Sequence, residues 1–319
     1  MHSVTVPASS TPLRLDLFLA QQVPQCSRRR VQRAITDGDV RINGRRARKG
    51  EQVVAGDVVQ VPETLYAPLS LQPNPALRLP ILYEDASVIA VDKPPGIASH
   101  ALRPDETETV ANFLLWRYPE VAVAGRTLLE GGAVHRLDTD TSGVLLVARS
   151  AGAYRTLRQQ FEQRTVIKDY LAIVEGDVRL PGEVRTPITS HRNHRMVQVT
   201  TPSDRSVAAR PAVTVFRPRQ RLGRFTLLEV EIRTGVRHQI RAHLASIGHA
   251  VIGDQLYGSP AAATGAPRQL LHAHRVSLRH PETSAPLRVE SPVPADLTAF
   301  IQRHRNRKRT LRHQARQAK

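Results

Sequence analysis

Two short stretches concentrate the side chains that could do chemistry. The first is His135-Arg136-Leu137-Asp138-Thr139-Asp140-Thr141-Ser142-Gly143; the second runs from Arg233 through Arg237, His238, Arg241 and His243 to Leu244. Asp138, Asp140, Ser142 and Gly143 match loop positions 1, 3, 5 and 6 of a calcium site. Position 12 then falls on Arg149, where a bidentate carboxylate is required, and the apolar run Val144 to Ala148 stands where the exiting helix belongs. Calcium fails on both counts. His238 and His243 are five residues apart, a poor spacing for one helix face, and no His-Glu-x-x-His occurs, so zinc is disfavoured too. What is left is a carboxylate in a polar turn, and arginines that can be aimed at an anionic catalytic group or a phosphate. A plainer reading competes at each stretch. Asp138 can simply satisfy backbone N–H groups in a turn between strands. Residues 233–244 can be an amphipathic helix with Ile240 and Leu244 inward and Arg237 and Arg241 sharing a solvated edge.

The elements that must position these groups are legible from the apolar pattern. Val88 to Val91, Val144 to Ala148, Tyr170 to Val174 and Leu227 to Ile232 read as strands, and Val110 to Arg117 and Ala153 to Arg164 as helices. Helices of βαβ length do not separate the strands regularly. Residues 81–300 are therefore expected to form an α+β domain: a mixed, largely antiparallel sheet with flanking helices. Residues 63–80, with four prolines, read as a semi-rigid linker. Residues 302–319 carry eight cations and no acid, and are expected to be a disordered basic tail.

Composition narrows the class. At 319 residues the chain has room for about two domains, and 40% hydrophobic with 23% charged residues is ordinary globular composition. No apolar run approaches the roughly 18 residues of a membrane span, and no basic-then-apolar leader opens the chain. A single cysteine, Cys26, excludes an internal disulfide framework and a cysteine-based zinc ribbon. The expectation is a soluble cytoplasmic protein. Lys+Arg 46 against Asp+Glu 28 gives +18, and only five of those cations are lysine. Such an excess points to a polyanionic partner, of which nucleic acid is the commonest. With only 4% aromatics, reading single strands by base stacking is disfavoured. There is no phosphate-binding Gly-x-x-x-x-Gly-Lys-[Ser/Thr] loop either.

Much of the charge is local. Leu13 to Leu19 suggest a short helix, and Ser27 an N-cap for a second helix from Arg28 to Thr36 that stops at Asp37-Gly38. Val31, Ala34 and Ile35 share one face of it, with Arg29 and Arg33 opposite. Val40-Arg41-Ile42-Asn43-Gly44 then signals a hairpin, and Val58 to Val61 a further strand. Between Arg28 and Lys49 nine cations face two acids, a net of +7. Arg28, Arg29, Arg33, Arg41 and Arg45 are the candidate phosphate contacts, in preference to a merely solvated face.

These residues carry two resemblances. Leu15-Asp16, Ser27-Arg28-Arg29, Gly38-Asp39-Val40-Arg41-Ile42-Asn43-Gly44 and Gly56-Asp57 resemble the S4 RNA-binding domain over residues 12–62, an αα-β module that adds RNA affinity. His135-Arg136-Leu137-Asp138-x-x-Thr141-Ser142-Gly143 resembles the catalytic motif of the RluA-type RNA pseudouridine synthases. Four further motifs match in order. They are Asp92-Lys93-Pro94-Pro95-Gly96, Lys168-Asp169-Tyr170-Leu171-Ala172, and His238-Gln239-Ile240-Arg241-x-His243-Leu244 with Gly253-Asp254-x-x-Tyr257-Gly258, then Leu271-His272-Ala273. The match spans about residues 81–290. One departure stands out: many members read Thr-Gly-Arg-Thr where this chain has Thr234-Gly235-Val236-Arg237, which moves one cation by a single position.

The resemblance implies that Asp138 is the catalytic aspartate, with attack on the sugar C1′, attack on the base and a glycal route all open. An ionised carboxylate in a water-excluding pocket needs a cation, because burial alone raises its pKa. Arg241 is the implied partner. Tyr170 is implied to pack on the target base and to be able to take the C5 proton. Arg136 is implied to enter the space of the flipped nucleotide, and Arg237 to contact RNA. The expected partner is ribosomal RNA or a pre-ribosomal particle, met by a monomer with no cofactor and no metal. The rival is an inactive RNA-binding or ribosome-assembly protein of the same fold, against which the intact trio Asp138, Tyr170 and Arg241 speaks.

Overall fold

In the computed structural model, residues 1–8, 11–23, 26–66, 71–103, 105–190, 196–198, 209–258 and 265–305 are described. The chain divides into two compact units, Met1–Ser70 and Leu71–Lys319.

In the first unit, β1 (His2–Thr5), β2 (Leu13–Arg14), α1 (Leu15–Gln22), α2 (Arg28–Asp37), β3 (Arg41–Ile42), β4 (Arg45–Arg46), β5 (Gln52–Val53) and β6 (Val58–Val61) follow in order. The sheet runs β1-β6-β3-β4, with β2 paired to β5. Ser27 caps α2 by accepting the Arg30 N–H at 3.3 Å. Gly38 ends it at φ +86°, where no side chain is comfortable. Val31, Ala34 and Ile35 are buried against α1 and the sheet, while Arg29 and Arg33 stay exposed. Asn43 and Gly44 both have positive φ, the two-residue hairpin geometry their types favour.

The second unit is built on one sheet. Its strands are β7 (Ile81–Glu84), β8 (Val88–Lys93), β9 (Ser142–Ala148), β10 (Ile167–Glu175), β11 (Gly182–Val184), β14 (Thr214–Arg221), β15 (Phe225–Ile232), β16 (Leu271–Arg279) and β17 (Pro286–Glu290). A small hairpin of β12 (Ile188–Ser190) and β13 (Met196–Gln198) lies off it. The order is β11-β14-β15-β10-β16-β9-β8-β7, with β17 against the other part of β16. Every pairing is antiparallel except β16 with β9. Helices α3 (Val110–Arg117), α4 (Ala151–Glu162) and α5 (Gln239–Ser246) pack on it. The largest core cluster joins Ile89, Val91, Leu145 and Val147 to Ala172, Val174, Leu228 and Val230 in the central strands. No helix among the described residues is long and apolar enough to cross a membrane.

Three expectations need correcting. The helix of the second polar stretch starts only at Gln239, because His238 takes a left-handed conformation (φ +55°). It is buried along Gln239 to Leu244, so it has no solvated basic edge, and Arg237 lies outside it. The stretch read as a linker, 63–80, carries Leu65, which is buried in the first unit, and Leu71 and Leu79, which are buried in the second; residues 67–70 lie outside the described ones. The basic tail does not begin unstructured at 302. Leu297, Phe300 and Ile301 pack against Phe225 and Leu227, and this contact carries helix through residues 295–305. Residues 306–319 lie outside the described ones.

Candidate active site

Asp138 lies in the loop that feeds β9. Its neighbour on the sheet, β16, separates β9 from β10, which carries Tyr170, and α5 delivers Arg241 from the end of β15. The three residues that the sequence singles out therefore converge on one cavity of about 730 Å³. Arg136, Lys168, Arg237 and His238 also line it.

The central contact is electrostatic. Arg241 donates through Nη1 to Asp138 Oδ2 at 2.8 Å, and through Nε and Nη2 to Asp254 at 2.7 and 2.9 Å. Asp254 Oδ1 also accepts the Leu256 and Tyr257 N–H groups. Burial disfavours the charged guanidinium, but hydrogen bonds and charge from Asp254, then Asp138, outweigh it and hold its pKa above the ordinary value. Burial likewise works against ionised Asp254, and Arg241 with the two backbone donors overcomes it, so this carboxyl sits below the usual range. Asp254 thus fixes the guanidinium plane and leaves one edge for Asp138. His238 brings Nε2 to 3.8 Å from Asp138 Oδ1, while its Nδ1 meets the Tyr257 hydroxyl at 3.0 Å.

The Asp138 loop is held from several sides. Lys93, fully buried, donates to the carbonyls of Pro94, Ile97 and Thr139 at 2.7 to 2.8 Å. Arg268 donates to the Asp140 carbonyl at 2.8 Å and to Ser142 Oγ at 3.0 Å, anchored in turn by Asp296. Gln269 donates to Thr141 Oγ1 at 2.8 Å, and Ser99 Oγ bridges the N–H and carbonyl of Leu137. The plainer reading of Asp138, as a turn residue consumed by backbone donors, does not fit: Lys93, Arg268, Gln269 and Ser99 fix its neighbours, and its carboxylate points to Arg241 and the cavity.

Tyr170 is buried, and its hydroxyl has no hydrogen-bond partner among the described residues. Burial, then the charge of Asp138, pushes the phenol above its ordinary value. Lys168, two residues earlier on the same face of β10, donates to the Thr234 carbonyl at 2.8 Å, and burial lowers it to about 8. Arg136 and Arg237 are exposed at the rim. Among the described residues no cluster suited to hold a metal ion occurs.

In the first unit the basic patch is partly consumed internally. Arg28 pairs with Asp16 at 2.7 Å, Arg33 with Asp37 at 3.4 Å and Arg45 with Glu51 at 2.5 Å. Arg29, Arg41, Arg46, Arg48 and Lys49 form no side-chain ion pair among the described residues and are exposed, although the Arg48 backbone N–H donates to Glu51. Sequence reasoning missed Asp16 and Glu51 because they lie outside the counted window. It also passed over Asp254, Lys93, Arg268 and Gln269 as functional groups. Asp254 falls 13 residues after Arg241, a separation no helical or strand period links; only its place in a motif marks it.

A helix-terminal arginine reaching a loop aspartate before a central strand, in a chain that opens with an S4-like module, defines a class. Residues 87–246 match the family described as RNA pseudouridylate synthase, and residues 13–59 match the S4 domain. The chain is 36% identical over 313 residues to a protein of Xanthomonas campestris pv. campestris named ribosomal large subunit pseudouridine synthase D, covering 94% of this chain and 92% of that one. A protein of the same name from Nitrosomonas europaea is 37% identical over 310 residues, 95% of this chain and 88% of the other. The solved structure of human RNA pseudouridylate synthase domain containing 1 superposes with a TM-score of 0.57 at 24% identity, over 72% of this chain and 90% of that one, a likeness of fold. The chain belongs to the RNA pseudouridylate synthase family, of the RluA type with an N-terminal S4 domain.

Proposed function

We propose that this chain isomerises uridine in large-subunit ribosomal RNA, acting in the cytoplasm as a monomer and without a cofactor. Residues 12–62 serve as the RNA-binding module and residues 81–300 as the catalytic domain. The names of its relatives support the substrate class. The observation that carries the chemistry is Asp138, held by Arg241 at the wall of a cavity that Tyr170 closes from β10.

In this reading the target nucleotide leaves its stack and enters the cavity, and Arg136 at the rim takes its place. Asp138 acts as the nucleophile. The N1–C1′ bond breaks, the base turns, a C5–C1′ bond forms, and the C5 proton is released. Arg241 keeps Asp138 aimed while water is excluded. Tyr170 packs on the base and rests protonated. One of the two causes of its raised pKa is the Asp138 charge. A covalent bond to Asp138 removes that charge and lowers the phenol's pKa, so Tyr170 more readily passes its own proton out of the site, and the resulting phenolate can take the proton that leaves C5.

The direct test is tritium release from ribosomal RNA carrying [5-³H]uridine. The unaltered protein releases tritium, and Asp138→Asn loses release by at least about 10³-fold while still binding RNA. Substantial residual release by Asp138→Asn would remove the nucleophile role. Silence of the unaltered protein on both naked RNA and pre-ribosomal particles would make it a binding protein.

A further inference from the structure

A second concavity of about 430 Å³ adjoins the catalytic cavity, and His135, Arg136, Arg158 and Glu162 line both. One wall is a long face of α4. Tyr154, Arg155, Arg158 and Glu162 recur there at helical spacing, while Ala153 and Leu157 turn into the core. Arg126 and His100 add to it from two loops.

Two observations say that this groove awaits a ligand. Elsewhere on this unit many surface arginines are neutralised by neighbours: Arg149 by Glu120, Arg219 by Glu229, Arg275 by Asp169. Arg126, Arg136 and Arg155 have no carboxylate partner among the described residues, and all three are exposed. Of the two acids in the groove, Glu162 is engaged by Arg158 at 3.2 Å and Glu130 accepts the Tyr154 hydroxyl at 3.4 Å. The second observation is His100 Nδ1 in the groove's lining, buried without a hydrogen-bond partner among the described residues. A buried polar atom without a partner is costly unless something meets it. Burial, then the charge of Arg136, holds this imidazole below its ordinary pKa, so it is neutral and can donate or accept.

We infer that this groove carries the RNA strand flanking the target uridine, with Arg126 and Arg155 meeting its phosphates and His100 its ribose or base edge. The inference rests on the reading given under Proposed function. Arg136 supports a polymer over a free anion: it lines both concavities, so an occupant of the second is placed to be the chemical neighbour of an occupant of the first. The groove's size suits a nucleotide, and its uncompensated charges suit phosphodiesters.

The test compares the full-length protein with Arg126→Ala/Arg155→Ala, measuring RNA affinity against salt and turnover by tritium release. Each lost phosphate contact lowers the slope of log K against log salt by ~0.7 for a single strand, so the pair lowers it by about 1.4. KM rises roughly tenfold, more than kcat falls, as weakened phosphate contacts predict. Arg126→Lys/Arg155→Lys restores the slope, which separates charge from folding. On RNAs shortened stepwise on each side of the target, the difference between the unaltered and Ala proteins vanishes once the flank that occupies the groove is gone. An unchanged slope overturns the inference. So does an equal change in Arg217→Ala/Arg224→Ala, outside the groove, or a difference that persists to the shortest RNA. If the unaltered protein releases no tritium but the slope behaves as stated, the enzymatic reading fails and the groove stands. Tritium release with an unmoved slope is the reverse.

Discussion

At the scale of single residues, the site is organised by how one guanidinium divides its edges. Arg241 gives Nε and Nη2 to Asp254 and Nη1 to Asp138. A planar fork can serve two carboxylates in a fixed geometry, and an ammonium cannot. Arg241→Lys is therefore expected to lower kcat by about 10², the cost of a small misplacement at a reacting centre. Asp254→Asn keeps the shape but weakens the grip on Nε and Nη2. It should lower kcat by ~10-fold to 10²-fold with RNA affinity nearly unchanged, because Asp254 has no exposed surface toward RNA. A large loss of RNA affinity in Asp254→Asn, with kcat intact, would mean that Asp254 acts on the fold of residues 252–258 and not through Arg241. Asp138 was marked by its motif, and the need of a buried carboxylate for a cation pointed to Arg241. The second carboxylate was not legible, since nothing local to Arg241 or Asp254 announces that they meet.

At the scale of elements, the Asp138 loop works because β9 passes very close to β16. Gly143 (φ +111°) stands opposite Ala273 in the parallel pairing, and a Cβ there would lie 2.2 Å from the Ala273 carbonyl oxygen. Gly143→Ala should cost about 1–3 kcal/mol by overpacking and strain. It should also reduce turnover, because Ser142 and its bonds to Arg268 and His272 would shift with it. Thermal denaturation beside tritium release checks both, and an unchanged melting temperature would refute the close approach. In the S4 unit, Asp16 is buried and takes hydrogen bonds from Arg14, Gln32 and Arg28. Burial opposes its ionisation, but these donors overcome it and hold the carboxyl well below the usual range. A folded pKa below the unfolded one gives stability that is present above about pH 4 and is lost as pH falls through the folded value. Acid unfolding of the first unit should accordingly lose that component in Asp16→Asn, seen as a shallower fall in stability below about pH 4. Strands β8, β9, β10 and β15 and helix α3 were readable from the apolar pattern, and Ser27 and Gly38 from their types as caps of α2; β7, β14, β16 and β17 were not, because arginine, histidine, proline and glutamate break their apolar runs. The start of α5 was not. His238 pays a left-handed backbone to face Asp138 and Tyr257, a tertiary demand that no local preference of histidine encodes.

At the scale of the whole molecule, the net charge of +18 is distributed over separate surfaces. On the second unit many arginines are paired; of those with no ion pair among the described residues, Arg136 and Arg237 line the catalytic cavity and Arg126, Arg136 and Arg155 its neighbouring groove, while Arg217 and Arg224 lie outside both. On the first unit Arg28, Arg33 and Arg45 hold Asp16, Asp37 and Glu51, so the counted +7 overstates what is offered to phosphate. Among the described residues Arg29, Arg41, Arg46, Arg48 and Lys49 form no side-chain ion pair, and Arg46 also lies over Gly38 at the end of α2 and reaches the Thr36 carbonyl at 3.3 Å. Not all five can meet phosphate at once. Removing residues 1–70 should thus lower the slope of log K against log salt by about 2 to 4, at ~0.7–0.9 per phosphate contact. Neutralising Arg28, Arg33 and Arg45 together should change the slope less than neutralising Arg29, Arg48 and Lys49, although both triples remove the same formal charge. Equal effects would show that bulk charge, not the pairing pattern, governs RNA affinity. An unchanged slope after removal of the first unit would mean that its patch does not meet phosphate at all.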